Sequence, residues 1–337
     1  MSLALTVWSI FNWIANLLTG FHYFILSLLG IYPRYKVHKN GVVVVTGSST
    51  GIGADATHYL AEKGYIVYAT VRKEADGQKL IADAAAALPV KNEKWSAPKE
   101  GRAAGKGWIV PVIADVTNKD QLRAAAEKVA AYTEESGLPL VALVNNAGIG
   151  HGAQPMEDTS EESLRAVMEV NFFGAIYATK AFLPLLRKHQ GRVVNVSSIA
   201  GVIAGPMMAV YAASKRALES ISESLRVELR PFNVSVSVIQ PGAVATAIQA
   251  KNAPSKVIPE ISPYARLYAA MATAFKHVES GAIPARASTS QVMLHAIASQ
   301  YPRTRYIVGM DAVVLKTTRK WVSDRVFDSI LGAVFKW

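Results

Sequence analysis

Four consecutive valines, Val42 to Val45, run directly into Thr46-Gly47-Ser48-Ser49-Thr50-Gly51-Ile52-Gly53. An apolar run with no polar alternation suits a strand buried on both faces, and such strands belong to parallel sheets covered by helices on each side. Glycines straight after the strand let the backbone turn sharply and approach a phosphate at the positive N-terminus of the next helix. The spacing is Gly-x-x-x-Gly-x-Gly. No Lys-Ser or Lys-Thr closes it, which excludes an NTP-hydrolysing P-loop.

The rest of the chain keeps that rhythm. Apolar runs at residues 66–70, 109–113, 140–144, 192–196 and 234–239 read as strands. Helical stretches lie between them: up to Lys63 with Gly64 as its stop, then 76–87, 119–135, 160–189 and 210–230. The stretch 160–189 is expected as one long helix, with Pro184 the place for any interruption. A last short strand is expected at 305–308. This alternation predicts an α/β fold with a single doubly wound parallel sheet across residues 41–310. Two stretches break the pattern. Residues 91–107 carry five basic side chains against two acidic ones and read as a solvated surface insertion or a loop on anionic lipid. Residues 243–286 are rich in Ala, Met and aromatics at helical spacing and read as a lid over a lipophilic pocket.

The two ends carry a different signal. Residues 1–33 contain no Lys, Arg, Asp or Glu, and Arg34 is the first charged side chain. A bilayer-spanning helix needs about 20 apolar residues, so this stretch is expected to insert in a membrane. Asn12 and Asn16 leave a bent, one-leaflet insertion as the alternative to a span. Arg34, Lys36 and Lys39 form a basic linker over residues 34–40, which would keep the main domain on the cytosolic side, with the endoplasmic reticulum as the expected membrane. The net charge of +11 fits an anionic membrane surface better than nucleic acid in that context. Within residues 311–337 an amphipathic helix is expected, with Val322, Val326, Ile330 and Val334 on one face and Trp321 and Trp337 at its ends. It would bind the interface, or dock on the domain or a second copy. With no cysteine, thiol catalysis and disulfides are excluded, and the seven histidines show no metal-binding spacing.

Tyr211 and Lys215 stand one helical turn apart, thirteen and seventeen residues after Ser198. A phenol titrates near ~10, and a neighbouring ammonium favours its phenolate. A serine hydroxyl beside the phenol could hold a substrate oxygen. The trio suits proton transfer to or from an alcohol or ketone.

The glycine loop, Asp115-Val116, Asn145-Asn-Ala-Gly148, Asn171, Ser198, Tyr211-x-x-x-Lys215 and Pro241-Gly242 agree in order and spacing. Together they resemble the short-chain dehydrogenase/reductase family over roughly residues 40–310, which implies a Rossmann-type sheet. The resemblance implies Tyr211 as catalytic acid/base, with Lys215 lowering its pKa and binding the nicotinamide ribose. It implies Ser198 on the substrate oxygen and Asn171 ordering a water in a relay with Lys215. Thr46, Gly47, Ser49, Gly51, Ile52 and Gly53 would take the pyrophosphate side, and Asp115 and Val116 the adenine. Asn145, Ala147 and Gly148 would line the cofactor and steady the sheet. Pro241, Gly242, Val244 and Thr246 would contact the nicotinamide end. The family's frequent pairing through long helices implies a possible homodimer.

Where NAD-preferring relatives carry an acid after the second strand, this chain has Val71-Arg72. Arg72 could pair a 2′-phosphate, so NADP(H) is expected over NAD(H). The stretches 67–72 and 305–309 are similar to the hydroxysteroid and retinol dehydrogenase branch. The expected substrate is a lipophilic alcohol, ketone or aldehyde such as a steroid, retinoid or other lipid, with His151, Gln154 and Met156 lining its pocket. A 3-ketoacyl or 3-keto-sphingoid reductase and a hydroxybutyrate-type dehydrogenase are alternatives. A membrane scaffold that keeps the fold without catalysis is a reading of another class.

Overall fold

In the computed structural model the described residues are 3–84, 107–246 and 262–335. Seven strands form one parallel sheet: β1 (Val42–Val45), β2 (Ile66–Val71), β3 (Trp108–Ile113), β4 (Leu140–Asn145), β5 (Arg192–Val196), β6 (Ser235–Pro241) and β9 (Arg305–Val308). Their order is β3-β2-β1-β4-β5-β6-β9. From β1 the chain builds outward to one edge, and from β4 to the other. The crevice between β1 and β4 is therefore the switch point where open α/β sheets bind ligands.

Register and burial follow from the valine run. Val43 pairs with Val67 and Val44 with Leu143. Val43 and Val45 join a core cluster with Leu60, Met293 and Ile297, while Val42 and Val44 join another with Leu122, Phe182 and Leu186. Helices α2 (Gly51–Glu62) and α9 (Thr289–Ala298) cover the first face. Helices α4 (Lys119–Ser136) and α6 (Gly174–His189) cover the second. Between them, α3 (Glu74–Ala84), α5 (Glu161–Met168) and α7 (Ala209–Glu228) complete the winding, and a two-stranded pair, β7 (Val244–Ala245) and β8 (Ile283–Pro284), flanks α8 (Ala265–Ser280).

The expected helix over 160–189 runs without a gap from Glu161 to His189, with a π-turn at Glu169–Phe173 joining α5 to α6. Asn171 sits in the middle of that turn, and such turns recur at functional sites. Pro184 does not interrupt α6, because it lies on the solvent side, where water can take the carbonyl it leaves unbonded.

The N-terminal expectation changes more. Among the described residues no helix is long and apolar enough to cross a membrane, so a span is not supported. Helix α1 (Leu3–Leu28) lies against the domain. Leu5 and Trp8 enter the first core cluster, Trp8 with no exposure at all. The Arg303 guanidinium donates to the Asn12 carbonyl at 2.9 Å and to the side-chain oxygens of Asn12 and Asn16. The polar interruptions that suggested a bend are thus docking points. Tyr32 donates to the Pro302 carbonyl at 3.0 Å, and Arg230 to that of Ile31 at 2.7 Å. The outward stripe, including Ile10, Ile14, Leu17, Phe21 and Leu28, is apolar and exposed.

At the C-terminus there are two helices, α10 (Met310–Trp321) and α11 (Asp324–Phe335). Val322 is extended, so it leaves the expected helical stripe and makes a corner. Phe327 is buried and Phe335 packs on the cluster of Leu267, Tyr268 and Met271 in α8, while Val326, Ile330 and Val334 stay exposed. Trp337 and residues 91–106 lie outside the described residues, as do the end of the expected 76–87 helix and residues 247–261 of the expected lid.

Candidate active site

A cleft of about 390 Å³ opens at the C-terminal ends of β1, β4 and β5. Gly47, Ser49, Gly51 and Ile52 form one wall. Gly47 has φ of +66°, and a Cβ there would come 2.7 Å from the Ala147 Cα. A Cβ at Gly53 would collide with the Gly47 carbonyl oxygen and the Asn146 amide. The β1 and β4 loops therefore lie against each other, with the Asn146 amide donating across to the Thr46 and Gly47 carbonyls at 2.9 and 3.1 Å. Thr46 staples them from behind the wall: its hydroxyl accepts from the Asn146 and Ala147 N–H groups at 3.0 and 3.1 Å. Thr50 begins α2 without a side-chain cap, so the first N–H groups of that helix face the cleft uncapped. This cradle suits a pyrophosphate.

Past the loop, buried Val71 ends β2, and exposed Arg72 lies at the cleft wall. Asp115 and Val116 line the same end. One Asp115 carboxylate oxygen accepts from the Thr117 N–H and hydroxyl at 2.9 and 2.7 Å, which fixes the loop.

At the other end stand Ser198, Tyr211 and Lys215, with Ala147 and Gly148 opposite. The Ser198 hydroxyl accepts from the Ala200 N–H at 3.1 Å and lies beside the Tyr211 phenol in the cleft wall. Burial pushes the phenol up from its ordinary range, and the neighbouring Ser198 hydroxyl acts against that rise. Lys215 is 3% exposed, donates to the Val196 carbonyl at 2.9 Å and sits 5.8 Å from the Tyr211 ring centre. Burial lowers its pKa to about 8, with Glu219 acting against that fall. Burial of the phenol itself therefore sets the direction of the Tyr211 shift, with Ser198 the group acting against it.

Pro241, Gly242, Val244 and Thr246 line the cleft beside these groups. Asn145 and Asn171 do not. Asn145 is turned into the sheet, donating to Thr179 and Asn195 at 2.9 and 2.8 Å. Asn171, 1% exposed, brackets Ile149: its oxygen accepts from the Ile149 N–H at 2.8 Å, and its amide donates to the Ile149 carbonyl at 3.0 Å and to Ser214 at 3.1 Å. His151, Gln154 and Met156 are also absent from the cleft wall. Met156 faces solvent. The Gln154 N–H donates to the Met207 carbonyl at 3.1 Å, which ties this loop to the turn before α7. Both His151 ring nitrogens are buried without a hydrogen-bond partner among the described residues.

Sequence reasoning did not single out the residues of the far wall. Phe275 and Val278 of α8, Met208, and Asp311 and Leu315 of α10 all line the cleft. The Asp311 carboxylate accepts from the Ala243 N–H at 2.7 Å, and a side chain at Gly242 would strike it. The one available signal was the glycine before it: Gly309 has φ of +99°, a turn that aims Asp311 back at the cleft.

The short chain dehydrogenase family model matches residues 41–256. The 3-ketodihydrosphingosine reductase of Bacteroides thetaiotaomicron is 29% identical, covering 86% of this chain and 96% of its own. The 17-beta-hydroxysteroid dehydrogenase type 6 of Bos taurus is 31% identical, covering 91% and 96%. A short chain dehydrogenase of Burkholderia cenocepacia, solved in complex with NADP, superposes with a TM-score of 0.60 at 26% identity, covering 88% and 98%. With the glycine cradle and the Ser198, Tyr211 and Lys215 cluster in place, this chain belongs to the short-chain dehydrogenase/reductase family, in its hydroxysteroid and retinol dehydrogenase-like branch, and is an NAD(P)-dependent oxidoreductase acting on CH–OH groups.

Proposed function

We propose that this chain interconverts a hydroxyl and a ketone or aldehyde on a lipophilic substrate, using NADP(H). The observation that carries this reading is the apolar wall of Met208, Phe275, Val278 and Leu315 facing the polar Ser198 and Tyr211. Such a wall takes hydrocarbon, while the two hydroxyls take a single oxygen. In the reducing direction Tyr211 gives its proton to the carbonyl oxygen, and Ser198 holds that oxygen by a hydrogen bond. Lys215 steadies the phenolate left behind. Asn171 fixes the Ile149 loop and supports a proton relay beside it. The nicotinamide, when bound, supplies or accepts the hydride. Arg72 pairs the 2′-phosphate, since β2 ends on Val71 and not on a carboxylate that would take the ribose hydroxyls.

A 3-keto-sphingoid or 3-ketoacyl substrate is the second reading, supported by the near full-length match to a 3-ketodihydrosphingosine reductase. Membrane seating is proposed as one-sided. The outward stripe of α1 and the exposed Val326, Ile330 and Val334 of α11 would lie in the interface of a membrane, the endoplasmic reticulum being the expected one.

The test is turnover of a panel of steroid, retinoid and 3-keto lipid substrates with NADPH and NADH. Tyr211→Phe should abolish turnover while keeping NADPH binding, and Arg72→Ala should weaken NADPH about tenfold or more without affecting NADH. Higher kcat/KM with NADH, or an unchanged preference in Arg72→Ala, would overturn the cofactor assignment. Confinement of activity to short hydrophilic ketones would overturn the substrate class.

A further inference from the structure

Helix α7 buries a polar stripe: Tyr211, Ser214, Lys215, Glu219 and Ser222 are all on its inner face. Tyr211 and Lys215 belong to the active site. Glu219 lies one turn beyond Lys215 and is 6% exposed. A carboxylate is rarely buried without charged partners. Its partners come from other places in the fold. The Arg305 guanidinium of β9 donates to one Glu219 oxygen at 3.0 Å. The Gln240 amide of β6 donates to the other at 2.9 Å. The Gln240 oxygen in turn accepts from Lys316 of α10 at 2.8 Å. Arg305 is shared with Glu223, the next carboxylate along α7. Arg226, on the same helix, feels the Arg305 charge, which disfavours its own charged form. The carboxylate is thus fixed in place by three elements, with Lys215 four residues before it on the same face.

We propose that Glu219 is a positioning residue for the reaction: it is the buried counter-charge that keeps Lys215 an ammonium ion beside Tyr211. The proposal rests on the reading of Tyr211 and Lys215 given above. Three physical facts support it. Lys215 is almost wholly buried, and burial disfavours its charged form. Its side-chain hydrogen bond goes to a neutral carbonyl, that of Val196. Glu219 is the charged group acting against the burial of Lys215. Without the carboxylate, Lys215 loses its proton at a lower pH. Tyr211 then loses the positive charge that favours its phenolate, and its own titration moves up.

The test compares Glu219→Gln with Arg305→Gln. Both break the same ion pair, but only the first removes the negative charge. In the oxidising direction, activity rises as the phenol is deprotonated. Glu219→Gln should move that rise to higher pH by about one unit, a roughly tenfold loss at neutral pH. Arg305→Gln keeps the carboxylate, still held by the Gln240 amide, and should not move the rise to higher pH. The phenolate absorbance of Tyr211, taken as the difference between each protein and its Tyr211→Phe counterpart, should move in the same way with no substrate present. An equal shift in both variants, or none in Glu219→Gln, overturns the proposal. If Glu219→Gln does not fold, the double variant Glu219→Gln/Arg305→Gln leaves no unpaired charge in the pair and should show a smaller shift in the same direction. A phenolate shift with no lipid turnover would uphold Glu219 while defeating the proposed substrate class.

Discussion

Trp8→Ala tests whether α1 is part of the fold or an appendage. Trp8 is wholly buried in the core cluster beneath the sheet. Replacing a buried Trp by Ala costs about 3–5 kcal/mol. Its indole N–H has no hydrogen-bond partner among the described residues, and removing that buried donor returns about 1 kcal/mol. The net loss is about 2–4 kcal/mol, charged against the docking of α1 rather than against the sheet. The first site at which trypsin can cut is Arg34, because residues 1–33 hold no Lys or Arg. Cleavage there needs the linker to come away from the domain, where Arg230 holds the Ile31 carbonyl and Tyr32 the Pro302 carbonyl. In wild type this opening should be rare. With docking weakened by about 2–4 kcal/mol, the open population and the cleavage rate at Arg34 should rise roughly thirty- to several-hundredfold. Limited proteolysis in detergent, followed by mass spectrometry of the released N-terminal peptide, measures it. Equal cleavage rates in wild type and Trp8→Ala would refute the docked position of α1.

Other outcomes follow from single contacts. His295 has its Nδ1 2.7 Å from the Tyr306 hydroxyl, and burial lowers its pKa to about 4. A histidine depressed in this way contributes stability that is full above its unfolded pKa of about 6.5 and is lost as pH falls toward about 4. Denaturant titrations should show that decline in wild type and a flatter one in His295→Gln. Asn171→Leu leaves both polar groups of the Ile149 backbone without their bonds to its side chain, so stability should drop by about 2–4 kcal/mol and kcat should fall, as urea unfolding and steady-state assays would show. Asp311→Ala frees the Ala243 N–H, and NADPH titration should show roughly tenfold weaker binding with a smaller change in kcat.

Much of the sheet was legible because residues buried on both faces leave continuous apolar runs, as in Val42–Val45. The glycine loop was legible for the same kind of reason: its residues are chosen by backbone geometry, which a sequence states directly. The π-turn at Asn171 was not, since one extra residue in a turn leaves helical periodicity almost unchanged on either side. The docking of α1 was hidden because Trp8 and Leu5, packed against protein, look the same in sequence as side chains packed against lipid. Asp311 and Leu315 could not be placed, because they reach the cleft only through the packing of α10 at the end of β9. His151 was chosen by its nearness in sequence to the Asn-Ala-Gly loop, and the chain turns it away from the cleft wall within three residues of Gly148.

The family match stops at residue 256, yet Phe275, Val278, Asp311 and Leu315 come from beyond it. Reaction and selection are therefore carried by successive stretches of the same polypeptide. The proton-handling groups sit in the earlier stretch, on strands and a helix locked into the sheet. Most of the apolar wall proposed for the substrate, Phe275, Val278 and Leu315, comes from the later one, on α8 and α10. The later stretch also supplies α9 and β9 to the core of the sheet, so only its cleft-lining side chains can be exchanged without disturbing the first: replacing Phe275, Val278 and Leu315 by those of a relative should shift substrate preference while leaving the chemistry in place.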